Sequence, residues 1–332
     1  MIPEPAAAVG RLAASRQGIL TKPPGSLGRL EELSIRLAAM TGRLDPPLGQ
    51  AVVFTLAGDH GVVEEGVSAY PQEVTAQMVL NFLGGGAAVN VLARELGARV
   101  VVADLGVAAD LPSHPALRSF RVRRGTANIT RGPAMSLEEA AAAGLDVALT
   151  GDMGIANTTA SSCLVCHFTG LDAAQVVGRG TGVDDAGLAR KVAAVRRALE
   201  VNAEAAAEPL GALAALGGLE IAGLVGVILE AASLRRPVII DGFISTAAAL
   251  VAAAVAPGCR DYMVAAHRSQ ELGHTAALAG LGLRPLLDLD LRLGEGTGAL
   301  LALPIVRAAV RILNEMATFE EAGVSDRPER SG

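Results

Sequence analysis

Three glycine-rich stretches carry the residue types that hold phosphate. The first is GDMGIANTT, residues 151–159, in which Asn157, Thr158 and Thr159 fall where a helix starts. Glycines after a strand leave backbone N–H groups exposed, and a helix N-terminus with free amides and hydroxyls binds anions. The second is VGRGTGVDD, 177–185, where Gly178, Gly180 and Gly182 alternate and Arg179 and Thr181 add donors. Asp184 or Asp185 then caps a helix whose first turns carry Arg190 and Lys191. The third is RLGEGTGALLALP, 292–304, again glycines opening a helix. Only Lys22 and Lys191 are lysines among the 28 basic residues. An ammonium is a compact point charge where a guanidinium is a broad fork, so retention of Lys at two places hints that an ammonium is wanted there; chance survival is the alternative. Neither a Walker A loop nor the dinucleotide fingerprint fits these stretches. Without a dense acidic cluster for Mg²⁺, the expected ligand is a phosphorylated small molecule held by amides and Lys, with no metal and no cofactor.

A second set of chemistry-bearing residues stands at the ends of short β-type runs: Asp59, His60, Asp104, Asp152, Asp241 and His267. Any one strand-end Asp can simply cap the next helix; as a set they suggest a site. The stretch CLVCH, with Cys163, Cys166 and His167, has the spacing of covalent haem attachment. That chemistry needs export, and no export signal precedes it; a structural zinc would need further ligands nearby. The surrounding residues are small and apolar with helical character, so these cysteines read as ordinary buried side chains.

The elements that must position these groups follow from hydrophobic patterning. Continuous apolar runs such as AVVFTLA, ARVVVADLG, LDVALT and RPVII alternate with long Ala- and Leu-rich stretches of helical spacing at 71–96, 184–206 and 208–234. That alternation predicts an α/β fold, a parallel sheet covered by helices on both faces, with ligands beyond the carboxyl ends of the strands. Residues 1–45 hold two helical segments split by KPPGSLG, with Ser26 able to cap the helix starting near Leu27. Residues 298–319 form a terminal helix, and a polar tail follows. The expected organisation is a Rossmann-like catalytic domain over 46–297 and a small helical domain built from both termini, 1–45 plus 298–332. The chain of 332 residues is 51% hydrophobic and 19% charged, with net charge −6, which suits a large core. No basic run or aromatic ladder suggests nucleic acid. No segment makes a convincing membrane span or signal peptide, so the expectation is a cytoplasmic protein.

In order along the chain stand TKPPGSLGRLE, AGDHGVVEEGVSAYPQEVTAQMV, NFLGGGAAVNVLA, GDMGIANTT, GRGTGVDD, DGFISTAAAL, LDLRLGEGTGALLALP and MATFEEAGVSD. With these motifs, from about residue 15 to 326, the chain resembles the nicotinate-nucleotide–dimethylbenzimidazole phosphoribosyltransferase family. The resemblance implies a homodimer that moves phosphoribose from nicotinate mononucleotide to 5,6-dimethylbenzimidazole, giving nicotinate and α-ribazole 5′-phosphate for the nucleotide loop of cobalamin. The leaving pyridinium departs as a neutral ring, and attack from the opposite face inverts C1′. A carboxylate must take the N–H proton of the attacking base. The family places such a glutamate near the C-terminus. Of the adjacent Glu320 and Glu321, the pattern F-x-E-A-G-V selects Glu321; a solvated end-of-helix acid is the plainer alternative.

The resemblance also implies a phosphate and ribose site from Asp152, Asn157, Thr158, Gly178, Gly180 and Lys191. It implies a base slot near Ser68, Tyr70 and Gln77, with Gly84 to Gly86 either admitting the base or making a turn. The chain departs from the family at two places in GDMGIANTT. Asp152 stands for a glutamate, and Ala156 stands for a glycine, which calls for ordinary helical dihedrals there. Lys22 could meet ligand, a second subunit, or only Glu31 and Glu32. Rival readings are a transferase using another base, such as adenine or a phenol, and a non-enzymatic phosphometabolite-binding regulator. A nucleotide-dependent oxidoreductase would need the missing dinucleotide fingerprint.

Overall fold

The computed structural model describes residues 2–49, 51–132 and 149–325. Six strands among these form one parallel sheet in the order β3-β2-β1-β4-β5-β6. They are β1 (Ala51–Gly58), β2 (Ala98–Gly106), β3 (Leu117–Ser119), β4 (Leu149–Met153), β5 (Val238–Ile240) and β6 (Met263–Ala265). The expected α/β fold is present. The chain winds outward through β1, β2 and β3, then returns to start β4 on the other side of β1. The order therefore reverses between β1 and β4, and in open parallel sheets the crevice beyond such a switch point is where ligands bind. The strand expected over LDVALT begins outside the described residues, and its described part is β4. The short edge strand β3 was not legible: three residues, none fully buried, leave no pattern.

The helices used below, in chain order, are α1 (Ala7–Ile19), α2 (Arg29–Thr41), α3 (Glu73–Leu83), α4 (Ala88–Glu95), α5 (Asn157–Thr169), α6 (Asp185–Val201), α7 (Leu219–Ser233), α8 (Phe243–Val255) and α9 (Thr297–Glu315). Two long helical stretches of the sequence are each broken by glycine. Gly84 to Gly86 separate α3 from α4, with Gly85 at φ 74°, so the glycine run makes a turn. Gly217 and Gly218 end one helix and open α7. Helix α5 buries Cys163 and Cys166 among small side chains, and burial pushes the Cys166 thiol up to about 11. They are core residues there. Helix α8, nearly all Ala, Val and Leu, is buried over ten consecutive positions, because small side chains let it pack closely against α5 and α7.

Helix α9 joins the sheet to the chain termini. Its first half, through Ala299, Leu300, Leu303 and Val306, belongs to the main core. Its last turn places Leu313 with Ala13 of α1 and Ala38 of α2 in a small separate cluster. The backbone amide of Thr21 donates to Ala317 O at 3.0 Å, and that of Phe319 to Ile19 O at 3.0 Å. Lys22 is buried in this layer, 2.8 Å from Glu31 and donating to Gln17 O at 3.1 Å. Of the contacts open to it, the one made within the chain is Glu31. Ser26 does not cap α2. The helix starts after Gly28 at φ 53°, and Glu31 reaches back to accept the amides of Gly25 and Leu27.

Ala156 departs from expectation. It is buried and adopts φ 75°, ψ 5°, a left-handed conformation, in the turn from β4 into α5. A side chain there costs about 1–2 kcal/mol, which glycine avoids. The turn is therefore held by its surroundings despite alanine. Ala156→Gly is expected to raise stability by about 1 kcal/mol, the strain relief outweighing the extra freedom of the unfolded glycine. Thermal unfolding of the two proteins checks this, and an unchanged or lower midpoint would mean that Ala156 is not strained.

Candidate active site

Beyond the carboxyl ends of β4, β5 and β6 lies a cavity of about 400 Å³. β4 supplies Asp152 and the turn to Thr158, β5 leads to Gly242, Phe243 and Ile244, and β6 leads to His267, Ser269 and Glu271. Tyr70, Val74 and Met78 come from the segment entering α3 and from its inner face, and Arg292 to Glu295 come from the loop before α9. Three of the four strand-end aspartates are turned to scaffold work. Asp104 accepts from Val107 N at 2.8 Å and Arg121 Nε at 2.9 Å, and Asp59 accepts from Ala108 N at 2.8 Å. Asp241 accepts from Gly296 N at 3.1 Å and Ala299 N at 2.8 Å. It therefore caps α9, far along the chain, rather than the helix that follows it. Only Asp152 lines the cavity.

One side of the cavity gathers hydrogen-bond donors. Lys191, fully buried on α6, donates to Thr158 Oγ1 at 3.0 Å and to Gly178 O at 3.0 Å, leaving one of its three N–H groups free. Gly180 lies across both, at φ 52°. A Cβ there would stand 2.8 Å from Lys191 Nζ and 2.9 Å from Thr158 Oγ1, so only glycine fits. Lys191 thus sits directly behind the Thr158 and Gly180 wall. Burial lowers its pKa, and the nearby Glu271 opposes that shift. Thr181 ties this loop to the other wall, accepting Ala69 N at 3.0 Å with its hydroxyl 3.4 Å from that of Ser68. The start of α5 adds a helix N-terminus aimed the same way.

The other end is apolar and acidic. Val74, Met78, Met153, Ile155, Ile244 and Leu293 line the cavity together with Asp152 and Glu295. Asn157 Nδ2 donates to Asp152 Oδ2 at 3.0 Å. Burial raises the Asp152 carboxyl well above its ordinary range, helped by the charges of Asp241, Glu220 and Glu295. Glu295 is 4% exposed, its Oε2 has no hydrogen-bond partner, and burial pushes its carboxyl up to about 7. It stands at φ 65° between Gly294 and Gly296, at φ 81° and 91°. Three successive left-handed residues let this loop lie flat on β4. A Cβ on Gly151 would meet Glu295 O at 2.6 Å, so that strand position must also be glycine. Strain of this kind persists where surrounding structure enforces it, commonly at functional sites.

A buried ion pair stands behind the cavity. His60 Nε2 lies 2.6 Å from Glu220 Oε1, both essentially unexposed. Burial works against a charged His60, but the charge and hydrogen bond of Glu220, together with Asp59, raise its pKa overall. Its ring packs against Gly154, a cavity residue.

Of the residues singled out from the sequence, Asp152, Asn157, Thr158, Gly180 and Tyr70 line the cavity, with Gly178 and Lys191 immediately behind the donor-rich side. Ser68 braces the Thr181 loop, and Gln77 is exposed on α3 outside the cavity lining. Glu321 is not among the residues that line this cavity. It is exposed beyond the far end of α9, a helix about 28 Å long. Its carboxylate accepts Thr318 N at 2.8 Å, and that bond, with the Thr318 hydroxyl, holds its pKa below the ordinary value. Sequence reasoning missed Glu295, Glu271 and Arg292. Glu295 and Arg292 lie inside the third glycine stretch, where the glycines drew notice and the acid did not. Glu220 and Glu271 sit in stretches without a local signal.

A family model described as phosphoribosyltransferase matches residues 2–324. The chain is 57% identical over 331 residues to the nicotinate-nucleotide–dimethylbenzimidazole phosphoribosyltransferase of Chloroflexus aggregans, covering 96% of this chain and 94% of that protein. It is 51% identical over 326 residues to the protein of the same name from Geobacter metallireducens, covering 94% and 92%. The crystal structure of CobT from Thermus thermophilus superposes with a TM-score of 0.92 at 52% identity, covering 96% of this chain and all of that one. With fold, cavity and near full-length identity in agreement, the chain belongs to the nicotinate-nucleotide–dimethylbenzimidazole phosphoribosyltransferase family.

Proposed function

We propose that this chain transfers phosphoribose from nicotinate mononucleotide to 5,6-dimethylbenzimidazole, releasing nicotinate and forming α-ribazole 5′-phosphate with inversion at C1′. The observation that carries this reading is the polarity of one cavity: a hydroxyl- and Lys-backed end for phosphate, and an apolar, acidic end for an aromatic base that must lose a proton. The phosphate meets Thr158, the 178–182 loop and the field of Lys191; the ribose meets Asp152 and Asn157. The pyridinium nitrogen already carries positive charge, so its ring leaves neutral and needs no acid. The carboxylates around C1′ favour the positive charge that builds on the ribose as the bond breaks. One nitrogen of dimethylbenzimidazole attacks C1′ with its lone pair, and the proton on the other passes to a carboxylate.

Within one chain the carboxylate placed for that role is Glu295; Glu321, which the family motif selects, would have to act from a second copy. Glu295 is buried on the cavity wall with one oxygen unpartnered, and a pKa near 7 matches a general base working at neutral pH. A homodimer belongs to the same reading, supported by the exposed apolar side chains of Tyr70 and Leu293 on the cavity lining. So do a cytoplasmic location and the division into a domain over 46–297 and a terminal helical domain. Sedimentation should give one species of twice the 33.6 kDa chain mass; a monomer at micromolar concentration would remove the dimer.

The direct test incubates protein with nicotinate mononucleotide and a panel of bases, read by mass spectrometry. α-Ribazole 5′-phosphate is expected, and product from adenine or a phenol alone would change the acceptor. Glu295→Gln is expected to lose about 10²–10⁴-fold in turnover, whereas Glu321→Gln stays near wild type. The reverse pattern would give the base to Glu321 of a second copy. Glu295 must be ionised to accept a proton, so kcat/KM should rise about tenfold per pH unit below about 7 and level off above it, with no such inflection in Glu295→Gln. Lys191→Ala should weaken nucleotide binding by roughly 10–100-fold, the worth of a charge-assisted hydrogen bond, with little change for the base. Weakening of the base alone would contradict the phosphate assignment.

A further inference from the structure

One polar group on the cavity wall has no part in the reaction described so far. His267 follows β6, is 2% exposed and lines the cavity. Its Nδ1 is buried without a hydrogen-bond partner, 3.9 Å from Asp241 Oδ1. The edge carrying Nδ1 and Cε1 packs on Gly298 at the start of α9, so closely that a Cβ there would overlap the ring. On another side, a Cβ on Gly242 would stand 3.3 Å from Cε1 and 3.6 Å from Nε2. The ring is clamped between two glycines, and Nε2 is the nitrogen on the side of Gly242, which itself lines the cavity.

The neighbouring His274 is a useful contrast. Its Nδ1 accepts Ser269 N at 2.8 Å, and its Nε2 lies 2.9 Å from Thr246 Oγ1, which itself donates to Gly242 O at 2.7 Å. Both of its nitrogens are therefore committed to the scaffold. His267 Nδ1 has no such partner among the described residues. Burial pushes the His267 imidazole down to about 4, so it is neutral at working pH and carries one N–H. With Nδ1 turned toward the Asp241 carboxylate, the proton belongs on Nδ1, and Nε2 presents a lone pair to the cavity.

A lone pair selects its partner by elimination. The phosphate and the nicotinate carboxylate are ionised acceptors at neutral pH and are repelled by it. The dimethylbenzimidazole N–H is the proton assigned to Glu295. The remaining donors in the substrate pair are the ribose hydroxyls. We propose that His267 Nε2 accepts a hydrogen bond from a ribose hydroxyl of the nucleotide and makes the protein select ribonucleotides over their deoxy counterparts. This deepens the transferase reading and rests on it. His267 is then a specificity residue that leaves the proton transfer untouched.

The experiment measures kcat/KM for nicotinate mononucleotide and for its 2′-deoxy and 3′-deoxy analogues. It uses wild type, His267→Ala, and His267→Gln, whose side-chain carbonyl reaches a position similar to Nε2. Wild type should reject one of the two analogues by roughly 10–100-fold, the consequence of leaving a buried polar group unpaired. In His267→Ala that preference should collapse to within about threefold through loss of the ribonucleotide rate alone, and His267→Gln should restore part of it. Wild type turning over both analogues like the parent nucleotide would overturn the assignment without any variant. So would either folded variant rejecting them as strongly as wild type while its rates fall equally for all three. No turnover of nicotinate mononucleotide itself would remove the reaction, a failure distinct from that of His267.

Discussion

The site depends on one carboxylate that never touches the cavity. Asp241, at the end of β5, accepts the backbone amides of Gly296 and Ala299 and so fixes the start of α9 against the middle of the sheet. That clamp acts together with Thr55 of β1, whose hydroxyl donates to Glu295 O at 3.1 Å, to hold a loop that has three left-handed residues in a row and favours no such conformation by itself. The clamp puts Glu295 beside Asp152 and presses Gly298 against His267. The same helix then runs to the layer formed by α1 and α2. Chain termini and catalytic floor are thus two ends of one rigid element. Asp241 serves this purpose although burial raises its carboxyl to about 7, which the amides of Ala299, Gly296 and Gly298 oppose.

Around that clamp the charges are sorted by position. Asp152, Glu220, Asp241 and Glu295 gather beneath the acidic end, and the His60 imidazole is the ion-pair partner of one of them. Lys191 and Arg292 stand close to Glu271, beside the 178–182 loop. Buried carboxylates without cations are costly, and they answer by taking up protons or by waiting for a positive ligand. A nucleotide with an anionic phosphate at one end and a cationic glycosidic nitrogen in the middle satisfies both ends of such a cavity.

Much of the architecture was legible because it follows from patterning. Continuous apolar runs ending in Asp pointed to the parallel sheet and the edge at which to look, and the glycine loops pointed to Thr158, Gly178, Gly180 and Lys191, which the fold brings together. Other features depended on distance in space. Asp241 caps a helix from the far end of the chain, so its partner could not be read from its neighbours. Glu220 and His60 pair across 160 positions. Glu295 sat in view between two glycines, but nothing local says that its oxygen is buried and unpaired. For Glu321 the motif could be read in the sequence, but its exposure and its bond to Thr318 only a folded chain could reveal. Ala156 shows the same limit for the backbone, since propensity favoured a helical alanine and tertiary contacts hold it left-handed.

The most direct test is a crystal structure of the protein with α-ribazole 5′-phosphate bound. The cavity's two ends predict the phosphate against Thr158 and the 178–182 loop in front of Lys191. They also predict the free benzimidazole nitrogen within hydrogen-bonding distance of Glu295. A phosphate bound elsewhere, or a ring nitrogen facing Glu321 of a neighbouring copy with Glu295 untouched, would contradict this arrangement.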